Sequence, residues 1–362
     1  MKQTPTSRSR QSGLSLIELM ISLVLGLIVV GAASAVFLSN RRVYGTSETV
    51  NRIQESSRVA FELMSRDVRE AGGNPCSSSA TLINQLTTAD DSWWQSFAQG
   101  IRGYNGATAT PGTVFGSAAA NRVNGTDAID LHLANTGDYR VTAHTNPSAE
   151  LDLNTNAGVT EGEILMVCNM DFALIFQATG LSSTDKVQHN GGGGAATPGN
   201  TCAAFKFDRT GTCSVNRYCM LVPTGGAASA ECDLKSDTPA RMARVVSVRW
   251  YIGNNGRGST SLYRATLTTK DNNATPDPLE PPVEIAEGVS GLSITYLSNG
   301  GAAYQAPAAV ANWSNVVSAR ISLTFSGVEG GLAAGDIRGT DGNLLTRTVV
   351  NTVALRNRQG VL

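Results

Sequence analysis

The feature that most constrains this chain is an apolar run from Leu14 to Leu38 that carries a single charge, Glu18. At a rise of about 1.5 Å per residue, about 25 helical residues cross a hydrocarbon layer about 30 Å thick. A carboxylate inside such a helix costs about 2.5–3.5 kcal/mol on insertion scales and so requires a partner. If the chain is cut after Gly13, the new amine of Leu14 stands one turn from Glu18 at the favourable four-residue spacing. The two charges then neutralise each other within one copy or between adjacent copies. Lys2, Arg8 and Arg10 make the preceding segment basic, which holds that end on the cytoplasmic side. An ordinary secretory signal would be cut after the apolar stretch, near Ala32-Ala33-Ser34-Ala35, but that reading leaves Glu18 without a role.

A short basic leader, a junction glycine, a hydrophobic residue and a glutamate at fixed offset resemble the class III signal of type IV prepilins and type II secretion pseudopilins. The resemblance implies cleavage between Gly13 and Leu14 by a prepilin peptidase on the cytoplasmic face. It also implies N-methylation of Leu14, although major pilins usually carry Phe at that place.

The helical pattern continues beyond the apolar run. Val50, Ile53, Ala60, Phe61, Met64, Val68 and Ala71 recur at three- and four-residue steps and lay down one apolar stripe. Glu48 with Arg52, Arg58 with Glu62, Glu62 with Arg66, and Arg66 with Glu70 stand four apart on the opposite side. Gly72-Gly73-Asn74-Pro75 ends the helix. The chain therefore reads as a leader at 1–13, a membrane-spanning and filament-core helix at 14–38, an amphipathic continuation at 39–72 and a β-rich periplasmic head at 73–362.

The head reads as strands. Gly125–Ala134 alternates Ile129, Leu131 and Leu133 against Asp130 and His132, which predicts a half-buried strand with the two polar residues facing solvent. Glu163–Cys168 and Phe172–Thr179 predict one hairpin. Arg244–Ile252 and Leu262–Thr269 predict a second, turning at Asn254-Asn255-Gly256. Leu292–Leu297, Val316–Phe325 and Thr348–Arg356 add further strands. His189–Asn200, Gly225–Ala230 and Thr275–Pro282 read as surface loops, on one sheet domain or on two lobes that meet near Gly191–Gly194. The predicted fold class is α+β, a long N-terminal helix packed on an antiparallel sheet head.

A net charge of −1 over 362 residues argues against a dedicated nucleic-acid surface. Cys76, Cys168, Cys202, Cys213, Cys219 and Cys232 all follow the apolar segment, an even count that predicts at least two disulfides in an oxidising periplasm. Fifteen pairings are possible, and Cys213 and Cys219 are close enough to close a small loop. Zinc is the rival reading, but no Cys-x-x-Cys pair occurs and His132, His144 and His189 are scattered.

The order of features is similar to the PilW family of type IV pilus assembly proteins, which are minor pilins. The matching pieces are Arg-Glu-Ala-Gly-Gly at 69–73, Ile-Arg-Gly-Tyr from Ile101 and Gly-Thr-Asp-Ala-Ile-Asp from Gly125. They continue with Gly-Glu-Ile-Leu-Met-Val-Cys from Gly162, Ala-Leu-Ile-Phe-Gln-Ala-Thr from Ala173, Val-Ser-Gly-Leu-Ser-Ile-Thr-Tyr-Leu from Val289, and Val-Ala-Leu-Arg-Asn-Arg from Val353. The resemblance implies a subunit that primes or caps a pilus. Its partners would be prepilin peptidase, other minor pilins and the major pilin, the inner-membrane assembly platform and membrane lipid. A minor pseudopilin of a type II secretion system and a tip adhesin or ligand receptor are the alternatives.

No catalytic motif is present: His-Glu-x-x-His, the Walker loop and Gly-x-Ser-x-Gly are all missing. Asp271-Asn272-Asn273 and Asp341-Gly342-Asn343 read as turns, and Trp93, Trp94 and Phe97 as a capped sheet edge. No cofactor and no enzymatic activity are expected. Mass analysis of protein from the native host should find a mature N terminus at Leu14. A bulky residue in place of Gly13 should leave the precursor uncut, and a start beyond Ala35 would overturn the reading.

Overall fold

The computed structural model describes residues 15–77, 80–87, 97–144, 149–191, 199–202, 205–207, 212–220, 234–235, 240–267, 281–326, 343 and 345–358. The fold is α+β, a long N-terminal apolar helix followed by a large, mostly antiparallel sheet domain. Helix α1 runs over Leu16–Glu70, 55 residues. The chain divides into two compact units, one of Met1–Arg52 with Glu329–Leu345 and the other of Ile53–Val328 with Thr346–Leu362.

From Leu16 to Leu38 α1 carries no charge but Glu18, and its large apolar side chains are exposed, from Leu16 at 80% to Leu38 at 51%. The Glu48–Arg52 pair closes at 2.6 Å on its surface.

Among the described residues the second unit holds seventeen strands. In chain order they are β1 (Thr81–Asn84), β2 (Ile101–Tyr104), β3 (Ala128–Ala143), β4 (Glu150–Leu153), β5 (Ile164–Cys168), β6 (Phe172–Gln177), β7 (Gly180–Ser183), β8 (Lys186–Gln188) and β9 (Lys206–Phe207). There follow β10 (Cys213–Cys219), β11 (Leu234–Lys235), β12 (Arg241–Asn254), β13 (Thr260–Leu267), β14 (Val283–Glu287), β15 (Val289–Ser298), β16 (Val316–Ser326) and β17 (Thr346–Ala354). All pairs are antiparallel except β1 with β6 and β10 with β11.

Two long strands organise the rest. β3 and β12 pair from Ala128–Tyr251 to Arg140–Arg241, and each changes its outer neighbour halfway along. Near its start β12 pairs with β5, and further along it pairs with β13. β3 pairs first with β2 and then with β4. One half of the β3–β12 ribbon therefore serves a sheet of β2-β3-β12-β13-β14, and the other half serves β4-β3-β12-β5-β6-β1.

The largest core lies on the first half. Ile53, Ala60, Phe61, Met64, Val68 and Ala71 of α1 pack with Ile129, Leu131, Leu133, Val248, Trp250 and Ile252. The separate sheet β15-β16-β17 adds Ile294, Ile321, Leu323 and Val353 to the same cluster. Asp67 is the polar tie within this apolar seam. Its carboxylate accepts from Trp250 Nε1 at 2.9 Å and from Arg264 Nε at 2.8 Å.

The second half of the ribbon carries β5 and β6, which are buried along their whole length. Such strands read as unbroken apolar runs because both of their faces are covered. Leu165, Val167, Leu174 and Phe176 enter one cluster, and Met166, Cys168, Ala173 and Ile175 the other. The first of these clusters adjoins the His144–His189 pair, whose Nε2 atoms stand 3.2 Å apart. Phe205 stacks on His189 with a centroid distance of 3.7 Å. Burial pushes the His144 imidazole down to about 4 and that of His189 well below its ordinary range.

Several expectations are corrected. Asp130 and His132 do not face solvent; they are 1% and 5% exposed. β3 is a central strand: the segment that holds Pro111 and Thr113 lies over Asp130 through Arg249, and Phe97 and Ser247 meet the His132 ring. Arg249, also fully buried, grips Asp130 through Nε–Oδ1 at 2.6 Å and Nη2–Oδ2 at 2.7 Å, and donates to the carbonyl of Pro111 and, at 3.0 Å, to Thr113 Oγ1. Arg122 pins the same covering segment through the carbonyls of Thr108, Asn105 and Thr126 at 2.8, 2.9 and 2.6 Å. Cys213 pairs with Cys202, not with Cys219, with Cα atoms 5.3 Å apart. Cys76 pairs with Cys168 across 92 residues. The side chain of Cys219 and all of Cys232 lie outside the described residues. So do Gly13, Leu14, Trp93, Trp94, Gly225–Ala230, 271–273, 341 and 342. His189 and Asn200, expected in a surface loop, are buried. Asn200 Oδ1 accepts from the Gln177 amide at 2.7 Å, which ties that stretch to β6.

Two predictions follow from these interiors. Asp67→Ala strands the Trp250 N–H and the Arg264 guanidinium and should cost about 3 kcal/mol in urea unfolding, whereas Asp67→Asn, which keeps an acceptor for Trp250, should cost less. Acid should weaken the head, since a histidine whose folded pKa is lowered binds more protons when unfolded. His144 alone should remove about 3 kcal/mol as pH falls from about 6.5 to about 4, with no further loss from it below that. Urea midpoints measured across this window check the sign.

Candidate functional site

Two places gather the residues singled out by the sequence. The first is the start of α1. Ser15 precedes the helix, and its Oγ accepts from the Glu18 amide at 3.3 Å. Ser15-Leu16-Ile17-Glu18 is thus the sequence pattern of a capping box, in which a serine satisfies an amide of the first turn. This local signal was available in the sequence beside the carboxylate's offset. Glu18 is exposed in the first turn of a helix whose neighbouring side chains, Ile17 and Leu19, are exposed as well. Among the described residues, this is the one helix long and apolar enough to cross a membrane; its most apolar 18-residue window has a mean hydropathy of 2.6, with none of it buried.

The second place is the other end of α1. Gly72 adopts φ +68° and donates its amide to the His132 carbonyl at 2.9 Å. The His132 amide in turn donates to the Gly100 carbonyl at 2.9 Å, so the helix end, β3 and the residue ahead of β2 are joined in series. The C-terminal segment closes over this junction. Asn357 Nδ2 donates to the Glu70 carbonyl at 3.4 Å. Arg358 Nη1 donates to the Trp313 carbonyl at 2.5 Å, and Nη2 donates to that of Gln99. A side chain on Gly73 would collide with Asn357, and one on Gly100 with Gly72, so both glycines permit close approach of backbone to neighbour.

The junction unites segments far apart in the chain: Arg69–Gly73, the Ile101 strand, the Val289 strand and Val353–Arg358. Asp127, just ahead of β3, ties the Val289 strand to it twice: its carboxylate accepts from the Ile294 amide at 2.8 Å, and its amide donates to the Leu292 carbonyl at 2.9 Å. Neither Arg358 nor His132 was selected from sequence as part of a site. Arg358 closes the Val353–Arg358 segment, but nothing in the linear order places it beside Gly72.

A cavity of about 260 Å³ opens at the junction, lined among others by Gly72, Gly100, His132, Ser314, Asn357 and Arg358. His132 Nδ1 pairs with Ser247 Oγ at 2.9 Å, and Phe97 meets the ring edge-on at 5.0 Å. Burial lowers the His132 pKa to about 4, and the nearby Arg249 charge adds to that, against an opposing pull from Asp130. Desolvation likewise lowers Arg358, to about 10. Among the described residues, no group of three or more His, Cys, Asp or Glu side chains is placed to hold a metal.

Residues 8–34 match the family described as the prokaryotic N-terminal methylation motif. No curated protein and no solved structure matches the chain. The motif and the apolar helix that contains most of it support a pilin- or pseudopilin-like protein, processed by prepilin peptidase and anchored in the inner membrane.

Proposed function

We propose that this protein is a non-catalytic minor pilin of the PilW type, a low-copy subunit that primes or caps a type IV pilus. The observation that carries the reading is the methylation motif at 8–34 on an exposed apolar helix, joined to a large, mostly antiparallel sheet head. Prepilin peptidase removes residues 1–13, and α1 then leaves the lipid for a filament core by exchanging lipid contacts for helix contacts. Gly26 and Gly31, whose Cβ positions meet nothing within 4 Å, leave room for close helix approach. A head of this size would pack poorly if repeated along a whole fibre, which favours a low-copy position next to other minor pilins, the major pilin and the assembly platform.

Glu18 supplies register in this scheme. A carboxylate in an apolar core is costly unless paired, and pairing with the Leu14 amine of its own or a neighbouring copy fixes the axial offset. Glu18→Ala should leave cleavage after Gly13 and the fold of the head intact while reducing surface filaments. The check is complementation of a deletion strain, with gel shift for cleavage and microscopy or twitching for filaments. Full restoration by Glu18→Ala would remove the register role. Normal pili with impaired protein secretion in the deletion strain would replace the pilus by a type II secretion system.

A further inference from the structure

The sheet β15-β16-β17 has two outer edges, and the chain treats them differently. The Leu355 amide donates to the Val317 carbonyl at 2.9 Å, which fixes the phase of the β16–β17 ladder. Bonded residues alternate in an antiparallel pair, so Arg347, Val349, Asn351 and Val353 bond to β16, while Thr348, Val350 and Thr352 turn N–H and C=O away from it. On the far edge, β15, the outward groups are capped one after another. Tyr296 exchanges both of its backbone bonds with Gln305 at 2.8 Å, the Ile294 amide reaches Asp127 Oδ2, and the Leu292 carbonyl takes the Asp127 amide. Among the described residues nothing caps the outward groups of Thr348, Val350 and Thr352.

The bare edge has the form of a template. β17 follows β16 over its nine residues with no register shift, and Asn351 Nδ2 donates to Ser65 Oγ at 3.4 Å, which rests the strand against α1. Val350 is 57% exposed, between the exposed Thr348 and Thr352. Lysine, proline and bulges, which guard open edges in other sheets, are missing from Thr346 to Ala354, and the one charge there is Arg347. We propose that the outer edge of β17 takes up an extended strand of a different subunit, β-branched and uncharged opposite Val350 and acidic opposite Arg347.

Backbone groups in a row accept another chain only in extended form, and side chains then select which chain. Arg347 is exposed and has no ion pair among the described residues. A second copy would pair β17 with itself about Val350, setting Val350 against Val350, Thr348 against Thr352 and Arg347 against Val353. That arrangement leaves the arginine unanswered, whereas an acidic residue on a different strand answers it. The choice of a different subunit also rests on the low-copy role proposed above, in which the neighbours of this chain are other pilins.

The test uses the full-length chain in detergent micelles, labelled with nitrogen-15 on valine and threonine. The probe is the peptide acetyl-Thr-Val-Thr-Val-Thr-Val-Glu-amide, whose middle valine meets Val350 and whose glutamate meets Arg347 in the antiparallel register. Saturable shifts and slowed hydrogen exchange at the Thr348, Val350 and Thr352 amides are expected at about millimolar peptide. Lysine in place of the peptide's glutamate should weaken binding about threefold. N-methylation of the peptide's middle valine should weaken it about tenfold, because that N–H donates to the Val350 carbonyl. Val350→Pro removes an outward N–H while Val349 and Asn351 keep their bonds to β16, and it should also weaken binding about tenfold. The N-methylated peptide supplies the same contrast on the unaltered chain should that variant not fold. Lack of a saturable shift, or equal binding of the N-methylated peptide, would overturn the edge as a docking site, and equal binding of the lysine peptide would overturn the acidic partner. Shifts of the same three amides with rising protein concentration and no peptide would assign the edge to a second copy instead. The peptide assay reads the edge alone, so its failure is distinct from failure of the pilus reading, which the deletion strain reports.

Discussion

The head depends on one seam, the apolar stripe of α1 laid along the β3–β12 ribbon. Burying side chains such as Phe61, Met64, Val68, Leu131, Val248 and Trp250 contributes about 1.5–3 kcal/mol for each large residue, before the entropy of ordering is counted. Apolar contact has no direction, so many sliding positions of a helix on a sheet would bury comparable area. Asp67 removes that freedom. Its carboxylate meets an indole N–H and a guanidinium from neighbouring strands, and a shift of one residue along the helix would leave the indole N–H buried without its acceptor and the carboxylate without its ion pair.

The opposite face of the ribbon follows the same logic with ions. Arg249 and Asp130 form a fully buried pair, and an unpaired charge there would be strongly destabilising. Arg249 also donates to the segment between β2 and β3, as Arg122 does, and Tyr251 and Asn254 add bonds to the carbonyls of Ala120 and Gly116, so this irregular stretch is held by side chains of the sheet and its own arginine. Loops whose backbone carbonyls are claimed by buried arginines behave as part of the core.

Much of this fold was legible in the sequence, and the parts that were not share a cause. The helix stripe, the β5–β6 hairpin, the β12–β13 hairpin and the strands β15, β16 and β17 all follow from periodicity and turn residues, which are local properties. The β12–β13 connection needed only its loop length revised, since Asn254 pairs with Thr260 and the turn occupies residues 255–259. Asp130 and His132 were misplaced because alternation distinguishes two faces but does not say that both are covered. That information resides in Arg249, more than a hundred residues away. The Cys202–Cys213 pairing likewise depends on β9 and β10 lying side by side, not on spacing in the chain. At the junction beside Gly72, the quoted segments were visible individually, but their meeting was not. Glu18 was conspicuous for the opposite reason, as the only charge in its apolar stretch.

The Cys76–Cys168 bridge has a mechanical consequence. Cys76 lies just beyond the end of α1, and Cys168 ends β5, next to β12 in the main sheet. Tension carried down the helix meets a covalent bond almost as soon as the helix ends. The load then passes to β5 and its hydrogen bonds with β12 and β6, instead of falling on the chain at Gly72 alone. Resistance to pulling is set by the rate of unfolding, and here that rate belongs to the sheet and not to the helix terminus.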